Sequence, residues 1–143
     1  MDVIELLNDL TSGQLLLWKV LLTSVIFACA GLQVLLAARF FRVSTVPPVP
    51  TRVAAQTHRL NGKLTVTLAV VVALTCLAGP TSPTRVLLHS VFGSLVFGLL
   101  AVKYTALKLR PAWGRYLPWI GSGLFLTFAA IWATSVADYV TAR

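Results

Sequence analysis

Acidic residues are scarce in this sequence, which has only four Asp and Glu against twelve Lys and Arg in 143 residues. Within the long apolar stretches the single acid is Asp138, close to the C-terminal end of the last stretch. The sequence therefore lacks the carboxylates that a proton relay through a membrane would need. The sequence also contains no HExxH motif, no Walker loop and no depth-matched Ser–His–acid set, so the corresponding hydrolase and nucleotide-binding classes are not indicated.

Cysteine and histidine are equally few. The two cysteines, Cys29 and Cys76, are far apart and give neither a disulfide framework nor a CxxC metal pattern. Two histidines without a buried acid argue against a metal transporter. Four apolar stretches without a detectable repeat do not by themselves indicate a carrier.

Charge of either sign is rare, at 11% of the residues, whereas 57% are apolar and the mean hydropathy is +0.85. A soluble domain of this length needs a polar shell, and the few charges present cluster mainly in two loops. The composition therefore predicts an integral membrane protein.

Four apolar stretches reach the roughly 20 residues that a membrane-spanning helix requires. We predict one membrane domain over residues 1–143, an all-α four-helix bundle with spans at residues 14–41, 57–79, 84–109 and 115–139. Proline-containing breaks separate the last three spans from the segments before them. Spans joined by short loops are expected to pack antiparallel, and four glycines are expected to mark close helix contacts: Gly93, Gly98, Gly121 and Gly123.

The orientation follows from the loops. Residues 39–63 and 103–115 contain nine cations and no acid, so the positive-inside rule places both segments in the cytoplasm and both termini outside, in the cell membrane. Residues 1–10 contain no Lys or Arg, so we expect the first span to be retained rather than cleaved as a signal peptide. Basic juxtamembrane loops indicate contact with anionic lipids and not with nucleic acid.

Both histidines occur in the pattern HxxxG, as His58 with Gly62 and His89 with Gly93. The glycine lies on the same helix face as the histidine and lets a flat group or another helix come close. Because histidine is an axial ligand of haem, the pattern predicts a haem b site with His89 on the iron. The alternative is structural, with His58 at the membrane interface and His89 in a helix–helix hydrogen bond.

Depth separates the two histidines. In antiparallel spans with a rise of about 1.5 Å per residue, His58 lies on the order of 25 Å from the level of His89, so one iron cannot bind both. At the level of His89 lie Thr75 and Cys76, and Cys76 is either a soft ligand or a small apolar side chain. On the same side, Lys19 and Arg85 either hold haem propionates or extend to the interface.

At the other end, His58 is expected near other polar residues: Gln33, Arg59, Asn61 and Lys63. Such a cluster either receives a quinone head group or a second haem, or is simply solvated at the membrane interface.

Several runs resemble an uncharacterised family of four-span bacterial membrane proteins of actinobacterial type. These runs are WKVLLTS, THRLNGKL, TRVLLHSVFGSLVFGLLAVKYTALKLRP and LPWIGSGLFLTFAAIWATSVADYV. That family is distantly similar to cytochrome b561 and to ferric-reductase-like membrane cytochromes. The resemblance implies a haem-binding, electron-carrying role for His58 with Gly62 and His89 with Gly93. Where the family has a second histidine level with His89, this sequence has Thr75.

Two functions are therefore predicted. The first is a small cytochrome-b-like subunit that carries electrons to or from a partner in a larger membrane complex. The alternative is a haem-free accessory subunit that stabilises such a complex, in which the glycines are contact surfaces. Either role fits a subunit better than an enzyme acting on its own.

Overall fold

The computed structural model describes residues 14–77, 83–109 and 111–141, apart from the side chains of a few residues near helix ends. These residues form four α-helices and a short 3-10 helix before the last one: α1 (Leu15–Phe40), α2 (Thr51–Leu77), α3 (Pro83–Lys108), Pro111–Tyr116 and α4 (Leu117–Thr141). Each of the four α-helices is long and apolar enough to cross a membrane, and the described ranges contain no strand. The prediction of an all-α, four-span protein is confirmed, while the orientation of its ends stays a prediction.

The described helix ends lie within about two residues of the predicted spans, apart from the start of α2, and the predicted end of the second span at residue 79 lies outside the described residues. Helix α2 begins at Thr51, six residues before the apolar span predicted to start at about residue 57. Hydropathy marks only the apolar part of a helix, whereas the polar residues Arg52 and Gln56 are helical as well. The N–H of Ala54 already donates to the carbonyl oxygen of Pro50 at 3.0 Å, which makes the proline segment the start of the helix.

The turn after α1 reverses the chain within a few residues. Arg42 adopts a left-handed φ of 61°, and the N–H groups of Val43 and Ser44 both return to the carbonyl oxygen of Ala38. This satisfies a carbonyl group that the end of the helix would otherwise leave open. The Arg39 side chain fixes the turn further by donating from Nε to the carbonyl oxygen of Val49 at 3.0 Å.

Helix α1 packs against α2 and α4, and α3 packs against α4. Within the described residues, α2 and α3 make few close backbone contacts with each other, although they follow one another in the chain. The contact between them is made by side chains, among them Cys76 and His89. Lipid tails are as apolar as the side chains, so a short connection alone does not draw two helix backbones together.

The buried residues include small ones at the tightest positions. Ala54 and Ala106 are 0% and 1% exposed, and the main buried cluster joins all four helices: Ile26, Ala30, Ala69, Val72, Val96, Leu124 and Phe128. Of the four glycines predicted to mark contacts, Gly123 faces Leu99, whose Cδ1 lies 3.5 Å from where a Cβ would be. For Gly93, Gly98 and Gly121 no described atom lies within 4 Å of that point, so within this chain that prediction is wrong for them.

Candidate functional sites at the two ends of the bundle

His58 is part of a hydrogen-bonded junction between α1 and α2, which we call the α1–α2 clasp (Gln33, His58 and Asn61). The Gln33 amide donates from Nε2 to the carbonyl oxygen of His58 at 2.7 Å, and His58 Nδ1 lies 3.2 Å from the carbonyl oxygen of Gln33. Asn61 donates from Nδ2 to the carbonyl oxygen of Cys29 at 2.8 Å. Since Nδ1 faces a carbonyl oxygen, it carries the hydrogen and donates.

Gly62 leaves space for the Gln33 side chain in the α1–α2 clasp. A Cβ at this position would lie 3.0 Å from Nε2 of Gln33, so the glycine of the first HxxxG pattern accommodates a glutamine side chain from the neighbouring helix. The first HxxxG pattern predicts room for a flat group or for another helix, and here a side chain of the neighbouring helix, Gln33, lies at that position. The Oε1 atom of Gln33 is buried and has no hydrogen-bond partner among the described residues, so the amide is held by its NH2 group.

The predicted polar cluster at this end forms in part. Gln33 and His58 bond to each other and Asn61 bonds to Cys29 of α1, whereas Arg59 and Lys63 are exposed. The Phe40 ring packs edge-on against the His58 imidazole, with centroids 5.2 Å apart.

At the other end of the bundle, His89 meets Cys76. The Nε2 atom of His89 and the Sγ atom of Cys76 are 3.6 Å apart, which joins α3 to α2. Lys19 of α1 is close enough to Cys76 to interact with it electrostatically. The side of α3 at Gly93 is open, because no described atom lies within 4 Å of a Cβ placed there. Arg85 lies in the first turn of α3, and its side chain lies outside the described residues.

The structure thus gathers His89, Cys76 and Lys19, and places His58 far from them. His58 and Cys76 are separated by eighteen residues of α2, about 27 Å along a helix. No single iron can bind both histidines in this fold.

The donors near His89 do not fit a bis-histidine haem. Thr75 donates from Oγ1 to the carbonyl oxygen of Val72 on its own helix and offers no imidazole. The donor next to His89 is the soft thiol of Cys76. Within residues 14–77, 83–109 and 111–141, no three His, Cys, Asp or Glu residues come together to hold a metal ion.

A model of a protein family of unknown function, DUF6529, matches residues 6–143 of the chain. The chain belongs to this family. No curated protein and no solved structure matches it. The match therefore confirms that one family covers nearly the whole chain, while the bacterial origin and the similarity to membrane cytochromes stay predictions.

Two contacts in this DUF6529 chain were not predicted from the sequence. Gln33 was expected near His58 but not as its hydrogen-bond partner, and the bond from Trp132 Nε1 to Ser24 Oγ at 2.9 Å was not expected at all. A polar residue inside an apolar span is the signal that points to such bonds, because lipid offers no partner. Gln33, Ser24 and Trp132 each carry that signal.

We expect Gly62→Ala to lower the free energy of unfolding of this DUF6529 protein by about 1 kcal/mol. The new methyl group would lie 3.0 Å from Nε2 of Gln33, and the amide is fixed by its 2.7 Å bond to His58. Unfolding in mixed detergent micelles measures the change. Gly98→Ala is the matched control, since that site has open space and the higher helix propensity of alanine acts there alone. Equal effects of the two substitutions would show that Gly62 is not needed for the clasp.

Proposed function

We propose that this protein is a haem-free accessory subunit that packs through α3 against a helix of a larger membrane complex. The observation that carries the proposal is a line of small exposed residues on α3: Ser90, Ser94 and Gly98. The protein would lie in the cell membrane with both basic loops in the cytoplasm.

The spacing of these residues is that of a helix contact. Ser90, Ser94 and Gly98 follow one another at intervals of four, which places them along one helix face. Small residues at this spacing let two helix backbones approach in lipid, where dispersion and close packing replace the hydrophobic effect. No described residue of the chain comes within 4 Å of a Cβ at Gly98.

Helix α3 is also the helix most open to a partner. Its candidate span has the smallest buried share of the four, and α4 is the one α-helix that α3 contacts extensively in the described part of the chain. A subunit that leaves one helix face of small residues uncovered is suited to bind a helix of another subunit there.

The histidines support the haem-free part of the proposal. Each has a ring nitrogen in a contact between two helices: His58 Nδ1 with Gln33 and His89 Nε2 with Cys76. Thr75 stands where the resemblance calls for the second iron ligand, and Gly62 makes room for Gln33. These residues therefore serve helix packing.

Ser94→Ile tests the docking face. We expect the variant to lose the membrane subunits that co-purify with the wild-type protein from native membranes in mild detergent, because a branched side chain holds the helices apart. The matched control is Ser122→Ile, which makes the same change at an exposed site on α4. Retention of the complex by Ser94→Ile overturns the proposal. A wild-type protein whose co-purifying partner is a second copy of itself also overturns it.

The cytochrome-b-like function remains as a second candidate because one observation favours it. His89 lies with Cys76 and Lys19 at one end of the bundle, and the helix face at Gly93 is open. A haem b held there would supply one-electron transfer to a partner subunit. His89 would bind it, and Lys19 and Arg85 would face its propionates.

A reduced-minus-oxidised absorption spectrum separates the two functions. We expect no haem bands from the purified wild-type protein made in haem-replete cells, because His89 Nε2 is engaged with Cys76 and Thr75 supplies no second imidazole. The same culture must yield a fully loaded known b-type cytochrome, which shows that haem is not limiting. An α-band that disappears in His89→Ala would overturn the haem-free proposal and establish His89 as a ligand.

A further inference from the structure

Lys103 is a cation placed inside a span and turned toward a neighbouring helix. It lies five residues before the end of α3 at Lys108, about 7 Å along the helix axis. The residue is half-buried, and it is close enough to His58 of α2 to interact with it electrostatically. Lys108, at the end of the same helix, is exposed.

No described side chain compensates this charge. Of the four acids, Asp2, Glu5 and Asp9 lie outside the described residues, and the fourth, Asp138, lies in the last turn of α4, at the end of the bundle opposite Lys103. The described part of the chain gives Lys103 no hydrogen-bond acceptor. A half-buried ammonium group at membrane depth is costly without an anion.

Lys103 lies on a helix that is sparsely packed against α2. Helices α2 and α3 make few close backbone contacts in the described residues, and we call the space between their facing sides the α2–α3 seam. His58, which is within electrostatic reach of Lys103, is itself held on α2 by its contacts with Gln33 and Phe40 of α1. The seam therefore combines a half-buried cation with few close backbone contacts across it.

We propose that the α2–α3 seam binds the phosphate of an anionic phospholipid, with Lys103 as its counter-ion. Nine of the twelve cations lie in the two basic segments at this end of the bundle, so the local potential attracts anions. A lipid supplies its phosphate at this depth, and its acyl chains can lie along the apolar seam. A neutral quinone carbonyl would accept a hydrogen bond but leave the charge uncompensated. This site does not depend on the partner complex or on haem.

Lipid titration of the purified protein tests the site. The protein is depleted of lipid, supplied with phosphatidylglycerol or phosphatidylcholine in detergent, and observed by native mass spectrometry. We expect the wild type to bind one phosphatidylglycerol more tightly than phosphatidylcholine. Lys103→Met should weaken this binding about fivefold to tenfold, because it removes the charge and keeps an unbranched side chain.

Lys108→Met is the matched control, with the same change at an exposed site on the same helix. Equal weakening in both variants, or none in Lys103→Met, overturns the proposal. Inorganic phosphate or a short-chain quinone that binds the lipid-depleted protein in a Lys103-dependent way, and displaces phosphatidylglycerol, also overturns it. Size-exclusion elution and the circular dichroism spectrum establish that each variant is folded, and Lys103→Arg, which keeps the charge, should retain the lipid.

Discussion

Trp132→Ala is expected to lower the free energy of unfolding of the bundle by about 2 to 3 kcal/mol. The indole of Trp132 stacks on Phe27 with ring centroids 5.0 Å apart, and its Nε1 donates to Ser24 Oγ at 2.9 Å. Both contacts join α4 to α1, the helix that also holds α2. Their loss removes a stacked aromatic pair and leaves the Ser24 hydroxyl without its donor, although that hydroxyl keeps its own bond to the carbonyl oxygen of Val20.

Reversible unfolding in mixed micelles, followed by circular dichroism, measures this effect. Trp119→Ala on the same helix is the control, because Trp119 is 78% exposed and should change stability little. Trp132→Phe keeps a ring on Phe27 and removes the hydrogen bond, so we expect a loss of about 0.6 kcal/mol and at most about 1.7 kcal/mol. A Trp119→Ala effect as large as that of Trp132→Ala would mean that Trp132 does not join the two helices.

The number and type of the helices could be predicted because lipid simplifies the problem. In the hydrocarbon layer every backbone group must be bonded within the chain, so an apolar stretch of about 20 residues is a helix. Prolines then mark the breaks, and α3 begins at Pro83 as a helix with proline in its first turn should. The start of α2 at Thr51 could not be predicted from hydropathy, since its first turns are polar and apolarity does not define where a helix ends.

The levels of the candidate residues could also be predicted, but not their partners. The position of a residue across the membrane depends on the rise per residue alone. The predicted spans therefore placed His58 far from His89 and Cys76 near it. Which side chains touch depends also on how each helix is rotated, and packing decides that. The two HxxxG patterns show the difference, because Gly62 faces Gln33 whereas Gly93 faces open space.

The same reasoning explains why small residues are important for helix packing in this fold. Between helices in lipid, stability comes from close approach and matched surfaces, and a buried alanine lets two backbones approach. Ala30 is 5% exposed and belongs to the cluster that joins all four helices. It lies on α1, which has extensive contacts with α2 and α4, so any group added there acts on two interfaces at once.

Ala30→Leu is therefore expected to destabilise the bundle by about 1 to 3 kcal/mol, because the added carbons must separate α1 from a neighbour or take strained rotamers. Thermal unfolding in detergent, with the same circular dichroism signal, measures the shift. Ala101→Leu introduces the same side chain at an exposed site on α3, where helix propensity is the main change and alanine and leucine differ little. If Ala30→Leu left stability unchanged, the space around Ala30 would have to be larger than its burial indicates, and close approach at α1 would not be what holds the four helices together.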